Sequence, residues 1–319
     1  MNKLNPSPLG LRWSGHAART VALVLLAAMP VLSQEKKDEN KIPEPEDVSI
    51  ITNDMVELRG TFYPGLEGKE SVPVVLLHMY EGSRADFGTL PLQLQEAGDA
   101  VLAIDLRGHG ESTVVRGVDR PLKASDLKTK ADFGRMITQD MEAIKRWLMN
   151  KNNAGELNIE KLCVVGAEMG ATIAVNWAAV DWSYRDLPIG KQGKDIKALV
   201  LLSPEQNFKG ITLSGALKHP VIKDHLSYLI AYGDRNSSKN RRDAESLYNS
   251  LKQKRAEYET PEEIIDKKDL FDQSYKTSFQ GTKMLGKDLG VEKHITNFIK
   301  LRLQDKSFPW AERKNPFES

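Results

Sequence analysis

Cysteine is almost absent from this 319-residue chain. Cys163 stands alone, which excludes an internal disulfide and any cysteine-built metal cluster. It sits in an apolar run, where a small buried thiol is the expected role. An excess of either charge is also lacking: 45 basic residues face 44 acidic ones, formal net charge is +1, and no basic stripe stands out. Nucleic acid is therefore not an expected partner. No H-x-x-H, paired-carboxylate spacing or acidic loop occurs, so no metal is expected and nothing points to a cofactor. Internal repeats are missing as well.

No apolar run is long enough to span a bilayer comfortably. The run Val21 to Leu32 falls short of the roughly 20 residues a spanning helix needs. It follows Lys3, Arg12 and Arg19 with no acidic residue among them, the pattern of a secretory signal over residues 1–33. Val31 and Ser33 are small enough for the positions before a cleavage site, placed ahead of Gln34. The expectation is export, periplasmic or extracellular, with no membrane span left in the mature chain. An uncleaved N-terminal anchor is the alternative.

What is present reads as one α/β domain over residues 48–303. It lies between a charged, proline-containing linker at 34–47 and a polar tail at 304–319 expected to be loosely held, with Trp310 able to dock back. Val48–Thr52 and Val56–Tyr63 predict an opening hairpin. The run at 72–78 is continuously apolar, as in a parallel strand covered on both faces, and the mainly apolar stretches at 100–105, 162–165, 196–203 and 226–233 read as further strands. Between them, Thr89–Ala97 reads as a short helix. Phe133, Ile137, Met141, Ile144 and Leu148 form one apolar stripe on a long helix. A helix is expected near 243–254, a last strand within 270–279, and a final amphipathic helix marked by Val291, Ile295, Phe298 and Ile299. The alternation predicts a doubly wound, mostly parallel sheet of about eight strands with helices on both faces and no large cap domain. Ligands of such sheets meet the loops at the carboxyl ends of the strands.

The stretch LCVVGAEMGATIAVNWA (162–178) dominates these loops. A strand, a tight turn with Gly166 and Gly170 at its ends, and a helix of small residues make the frame of a nucleophile elbow. The expected pattern is G-x-S-x-G, but the central residue here is Glu168.

With LLHMYEGSRADF, DLRGHGES, GAEMG, GDRN and FQGTKML in this order, the chain resembles the α/β-hydrolase family over about residues 48–303. The dienelactone hydrolase and small esterase or peptidase branch is most similar. The resemblance implies a Ser–His–acid triad and two backbone amides that bind an oxyanion. The nucleophile position falls on Glu168, the acid position on Asn236 and the base position on Gln280, none of which supplies the required chemistry. The oxyanion amides would be those of Met169 and of Met79 or Tyr80. His78, Asp234 and Lys283 are candidate pocket residues.

Three readings of Glu168 stay open. It could be a carboxylate nucleophile, a structural occupant paired with Lys283, or a holder of a cationic or hydroxylated ligand. Of the six histidines, His16 belongs to the signal, His219 and His225 precede a strand, and His294 lies on the final helix. His78 and His109 lie in loops on the active face, where the resemblance implies structural roles. Asp105 and Arg107 are expected to stabilise their own loop, and Asp140 to be a solvated or packing acid. The expected function is an exported, catalytically degenerate protein of hydrolase fold that binds a small molecule or protein. An active ester hydrolase using Glu168 is the alternative.

Overall fold

The computed structural model describes residues 42–188, 190–235 and 238–314. The expected signal and its cleavage site, the linker up to residue 41, and Asn236 lie outside the described residues.

Eleven strands occur among the described residues: β1 (Glu46–Ile51), β2 (Val56–Tyr63), β3 (Pro73–Leu77), β4 (Ala100–Ile104), β5 (Val114–Val115), β6 (Leu162–Ala167), β7 (Ile196–Leu202), β8 (Asn207–Phe208), β9 (Ile211–Thr212), β10 (Ser227–Gly233) and β11 (Leu270–Tyr275). Nine share one sheet in the order β1-β2-β4-β3-β6-β7-β10-β11, with β5 paired to β2, while β8 and β9 form a separate small hairpin. The β1–β2 and β2–β4 pairings are antiparallel, and every pairing from β4 to β11 is parallel.

The unbroken apolar strands are explained by what covers them. Leu162 and Val164 of β6 face one layer and Cys163, Val165 and Ala167 the other, and all five are buried. The first layer holds α3 (Met141–Asn153), α4 (Met169–Ser183) and α7 (Lys239–Lys252), through Met141, Ile144, Leu148, Trp177, Leu247 and Leu251. The second holds α1 (Leu90–Glu96) and α9 (Val291–Ile299), through Leu90, Leu94, Val291, Ile295 and Phe298. Each such side chain contributes roughly 1.5–3 kcal/mol of burial.

The stripe Phe133 to Leu148 is buried throughout, but its helix is not uniform. α2 (Lys130–Arg135) joins α3 through a π turn at Met136–Asp140. The hairpin starts at Glu46, inside the predicted linker, because Glu46 and Asp47 pair with Phe62 and Thr61. α7 starts upstream of the predicted Asp243 because the Ser238 hydroxyl accepts the Arg241 N–H and caps it. Three short helices were not legible as such: α5 (Leu213–Ala216), α6 (Pro220–Asp224) and α8 (Pro261–Asp266).

The tail is held tightly up to residue 314, contrary to expectation. Side-chain amides of Asn152, Asn153 and Asn158 donate to the carbonyls of Ala311, Arg313 and Phe308 at 3.0, 2.7 and 2.8 Å. The Arg313 guanidinium, 2% exposed, pairs with the buried Asp195 and with Glu160. Trp310 does dock, its ring 3.8 Å beneath Lys69 Nζ. Of the charges that made this segment look solvated, Arg313 meets the buried Asp195, while Asp305 and Lys306 pair with the exposed Lys300 and the exposed Asp266.

Candidate functional site

The turn between β6 and α4 places Glu168 at its tip, with φ 48° and ψ −105°. This is a left-handed backbone that a residue with a Cβ rarely adopts. Glycines at the ends of the turn make it possible. A Cβ on Gly166 would lie 2.5 Å from the Gly170 carbonyl carbon, and one on Gly170 would overlap the Leu77 carbonyl oxygen. The first turn of α4 is thereby seated on the end of β3, beside the loop that begins at His78.

The Glu168 carboxylate is bonded to no described residue. Its backbone N–H donates to the Leu202 carbonyl at 2.9 Å, and its Cγ lies where a Cβ on Gly281 would come within 3.2 Å. Gly281 has φ +56°, a backbone that favours glycine, and a Cβ there would press on the Glu168 side chain. Burial pushes the Glu168 carboxyl up from its ordinary value, and the nearby Glu205 pushes the same way, while Lys283 and Lys239 oppose them. The expected pairing with Lys283 does not form: Lys283 is exposed and makes no ion pair with a described residue. Its charge acts on Glu168 only at longer range.

Glu205 was missed in the sequence, as was Ser203. Ser203 directly follows β7 with φ 52° and is fully buried. Its hydroxyl donates to Gln280 Oε1 at 2.6 Å and accepts the Gly281 N–H at 2.9 Å. Gln280 Nε2 donates to the Gly233 carbonyl at 2.9 Å, and the Gly233 N–H donates back to Oε1 at 3.3 Å. The side chain at the base position is thus turned toward the end of β10 and bonded on both sides of its amide. The Thr172 hydroxyl holds the Glu205 carbonyl at 2.9 Å, fixing the loop after β7 against α4, and the Glu205 carboxylate pairs with Lys239 at 3.2 Å. A carboxylate three residues beyond a strand end is a weak signal, and nothing in a linear pattern announces the backbone of Ser203. Asp234 stands beside the site, partly exposed; its N–H donates to the Tyr275 carbonyl and its carboxylate is bonded to no described residue.

The backbone amides behave differently from the side chains. Among the described residues, the N–H groups of Met79 and Tyr80 donate to nothing. The N–H of Met169, the first residue of α4, precedes any intrahelical acceptor. Such amides can receive a ligand oxygen. Met79 also reaches this corner through its sulfur, 3.6 Å from the Thr282 hydroxyl.

The other polar residues of these loops build the frame. His78 is fully buried, with Nδ1 donating to the Met79 carbonyl at 2.7 Å and Nε2 accepting the Leu106 N–H at 3.0 Å. The ring is therefore a brace between two loops and takes no part in the pocket. Burial pushes it down to about 4, against the Met79 bond. His109 is buried too, with Nδ1 on the Arg107 carbonyl at 2.9 Å. Asp105 accepts the N–H groups of Arg84 and Glu111 at 2.7 and 2.9 Å and pairs with the Arg84 guanidinium. Arg107 spans Asp54 at 2.8 Å and Asp140. Asp140 is fully buried rather than solvated, and burial pushes its carboxyl up to about 6 with Arg107 opposing. Among the described residues no group of three or more His, Cys, Asp or Glu could hold a metal ion, and no helix is long and apolar enough to cross a membrane.

A mostly parallel sheet flanked by helices, with a strained turn between its central strand and a buried helix, defines the hydrolase class of doubly wound proteins. Residues 72–283 match the family model described as the α/β hydrolase fold, and the chain belongs to that family. Solved structures agree on the fold. An esterase of Pyrococcus furiosus is 19% identical with a TM-score of 0.56, covering 82% of this chain and 91% of its own. Dienelactone hydrolase from Anabaena variabilis is 17% identical at 0.55, covering 82% of this chain and 100% of its own. An esterase from Exiguobacterium antarcticum is 12% identical at 0.51, covering 80% and 100%. No curated protein matches the sequence.

Proposed function

We propose that this protein is a catalytically degenerate member of the family that binds a small molecule or a protein segment at the elbow and does not turn over esters by the serine route. The observation that carries this reading is the bonding of Gln280. Its amide is engaged by Ser203 and by both backbone groups of Gly233. It therefore has no free lone pair directed at Glu168, and an amide is no base in any case. Loss of a single triad member costs on the order of ten-thousandfold in turnover. The unbonded carboxylate of Glu168 supports a cationic or hydroxylated ligand, and the open amides of Met79, Tyr80 and Met169 could receive such a ligand's oxygen.

The second reading is an ester hydrolase that uses Glu168 as a carboxylate nucleophile, and the free amides favour it. Water would still have to be activated to release the enzyme-bound ester, and no described histidine is bonded to Glu168. A fluorophosphonate probe and a panel of p-nitrophenyl esters separate the two. The expected result is no labelling and no turnover above that of Glu168→Ala, and turnover that disappears in Glu168→Ala would overturn the proposal. We also propose that the protein is exported after cleavage near Ser33. Mass spectrometry of the secreted chain should find Gln34 as its first residue.

A further inference from the structure

A cavity lies far from the elbow. β10 runs parallel to its neighbours, with Gly233 at the elbow end of the sheet. Its seven residues place Ser227 about 20 Å away, at the opposite end. There, between the end of α7 and the start of β11, a cavity of about 250 Å³ opens.

Its wall contains Arg255, whose side chain is only 5% exposed. The guanidinium is fixed on three sides. Nη2 donates to the carbonyls of Lys223 and Leu226 at 3.2 and 2.9 Å, Nη1 is 2.6 Å from Asp269 Oδ1, and Cζ lies 5.6 Å from the centre of the Tyr228 ring. Nε and Nη1 are both buried without a hydrogen-bond partner among the described residues, Nη1 meeting Asp269 as an ion pair and Nε meeting no acceptor at all. A buried charged donor without a partner is costly, so an acceptor in the cavity would be held strongly.

The remaining lining fits an acceptor with negative charge. Lys268 makes no ion pair with a described residue, and its Nζ lies 5.1 Å from the centre of the Phe271 ring. Tyr248 and Tyr258 line the same space, and neither hydroxyl is bonded to a described group. Of the acids in the wall, Asp269 is answered by Arg255 and Glu257 by Lys252 at 2.7 Å, which leaves Glu259, exposed, as the one unpaired carboxylate.

We propose that this cavity is a ligand site separate from the elbow, which binds a small oxyanion, a carboxylate or phosphate group, on Arg255 Nε with Lys268 and the two tyrosine hydroxyls completing its contacts. The site is independent of the reading given for Glu168.

The test titrates the purified full chain with inorganic phosphate, acetate and chloride at matched ionic strength, following Tm and the heat of binding. Phosphate or acetate should raise Tm saturably by roughly 2–5 °C at a hundredfold excess over Kd, while chloride should not. A stronger phosphate response assigns a phosphate-bearing ligand, and a stronger acetate response a carboxylate. Lys268→Gln should weaken binding at least fivefold while leaving the anion-free Tm unchanged, and Arg255→Lys should abolish it. Because Arg255 also holds two carbonyls and that variant can fail to fold, Lys268→Gln combined with Tyr258→Phe supplies the deciding comparison. Equal shifts from all three anions, or a double variant that titrates like the parent chain, would overturn the proposal.

Discussion

Glu168 is a charge placed where the fold offers it little. It is partly buried, faces the field of Glu205, and gains only distant help from Lys239 and Lys283. Its carboxyl is raised in the folded chain, so the fold binds its proton more tightly than the unfolded chain does. This residue therefore lowers stability as pH rises above the ordinary carboxylate range. Glu168→Gln should stabilise the protein by about 1 kcal/mol at pH 8 and by almost nothing at pH 4, as read by urea unfolding at the two values. Gln280 has the opposite character. Removing its amide strands the buried Ser203 hydroxyl and both polar groups of Gly233. Gln280→Ala should cost about 1–3 kcal/mol in the same measurement. A cost of that size would identify the base position as a strap between β7, β10 and the segment before α9. No loss would mean that water replaces the amide freely.

At the scale of elements, two joints decide what the loops can do. The π turn between α2 and α3 contains Asp140, which sits beneath Arg107 and, through it, joins the helix to the turn at Asp54. The residues after α9 form the other joint. Arg313 enters a buried ionic cluster with Asp195, where Lys145 and Lys191 also lie 3.5 and 3.1 Å from the Asp195 oxygens. The neighbouring cations hold the Asp195 carboxyl below its ordinary value, against the burial that would raise it. Arg313→Ala removes one of these cations and releases the tail from Glu160 as well. We expect a loss of about 3 kcal/mol and early proteolysis near residue 305, detected by urea unfolding and limited digestion. An unchanged unfolding midpoint would show that Lys145 and Lys191 suffice.

For the whole molecule, two buried groups, Asp99 and His78, respond to pH with opposite sign. Asp99 is fully buried. Gln304 donates to its Oδ1 at 2.7 Å, its Oδ2 has no partner, and burial pushes the carboxyl up to about 7. Between about pH 4 and 7 the folded chain keeps this proton while the unfolded chain releases it, so the contribution of Asp99 falls as pH rises. His78, pushed down to about 4, is neutral in the folded chain where the unfolded chain is charged, so its contribution is lost as pH falls from about 6.5 toward 4. The two partly cancel in the parent chain. In Asp99→Asn the contribution of this carboxyl is removed and that of His78 remains. The variant should match the parent near pH 4 and exceed it by on the order of 3 kcal/mol above pH 7, measured as the difference between two stability–pH curves. Parallel curves would mean that Asp99 is ionised in the folded chain throughout.

Periodicity and composition alone were enough for the layers. Strands such as 162–165 and 198–202 must be covered on both faces because they carry no polar residue to turn outward, and the stripe Phe133 to Leu148 can face only one way. The elbow was legible for the same local reason, since two glycines flanking one residue are what so tight a strand-to-helix turn requires. What local pattern does not hold is which distant groups meet. Ser203, Gln280 and Gly233 come from three separate segments, and their hydrogen bonds exist only once β7 and β10 lie side by side. The charged tail looked solvated because its partners, Asp195 and Glu160, are more than a hundred residues away. Short-range patterns record the hydrophobic face of each element, whereas polar pairing across the fold depends on topology, and that only the tertiary structure decided.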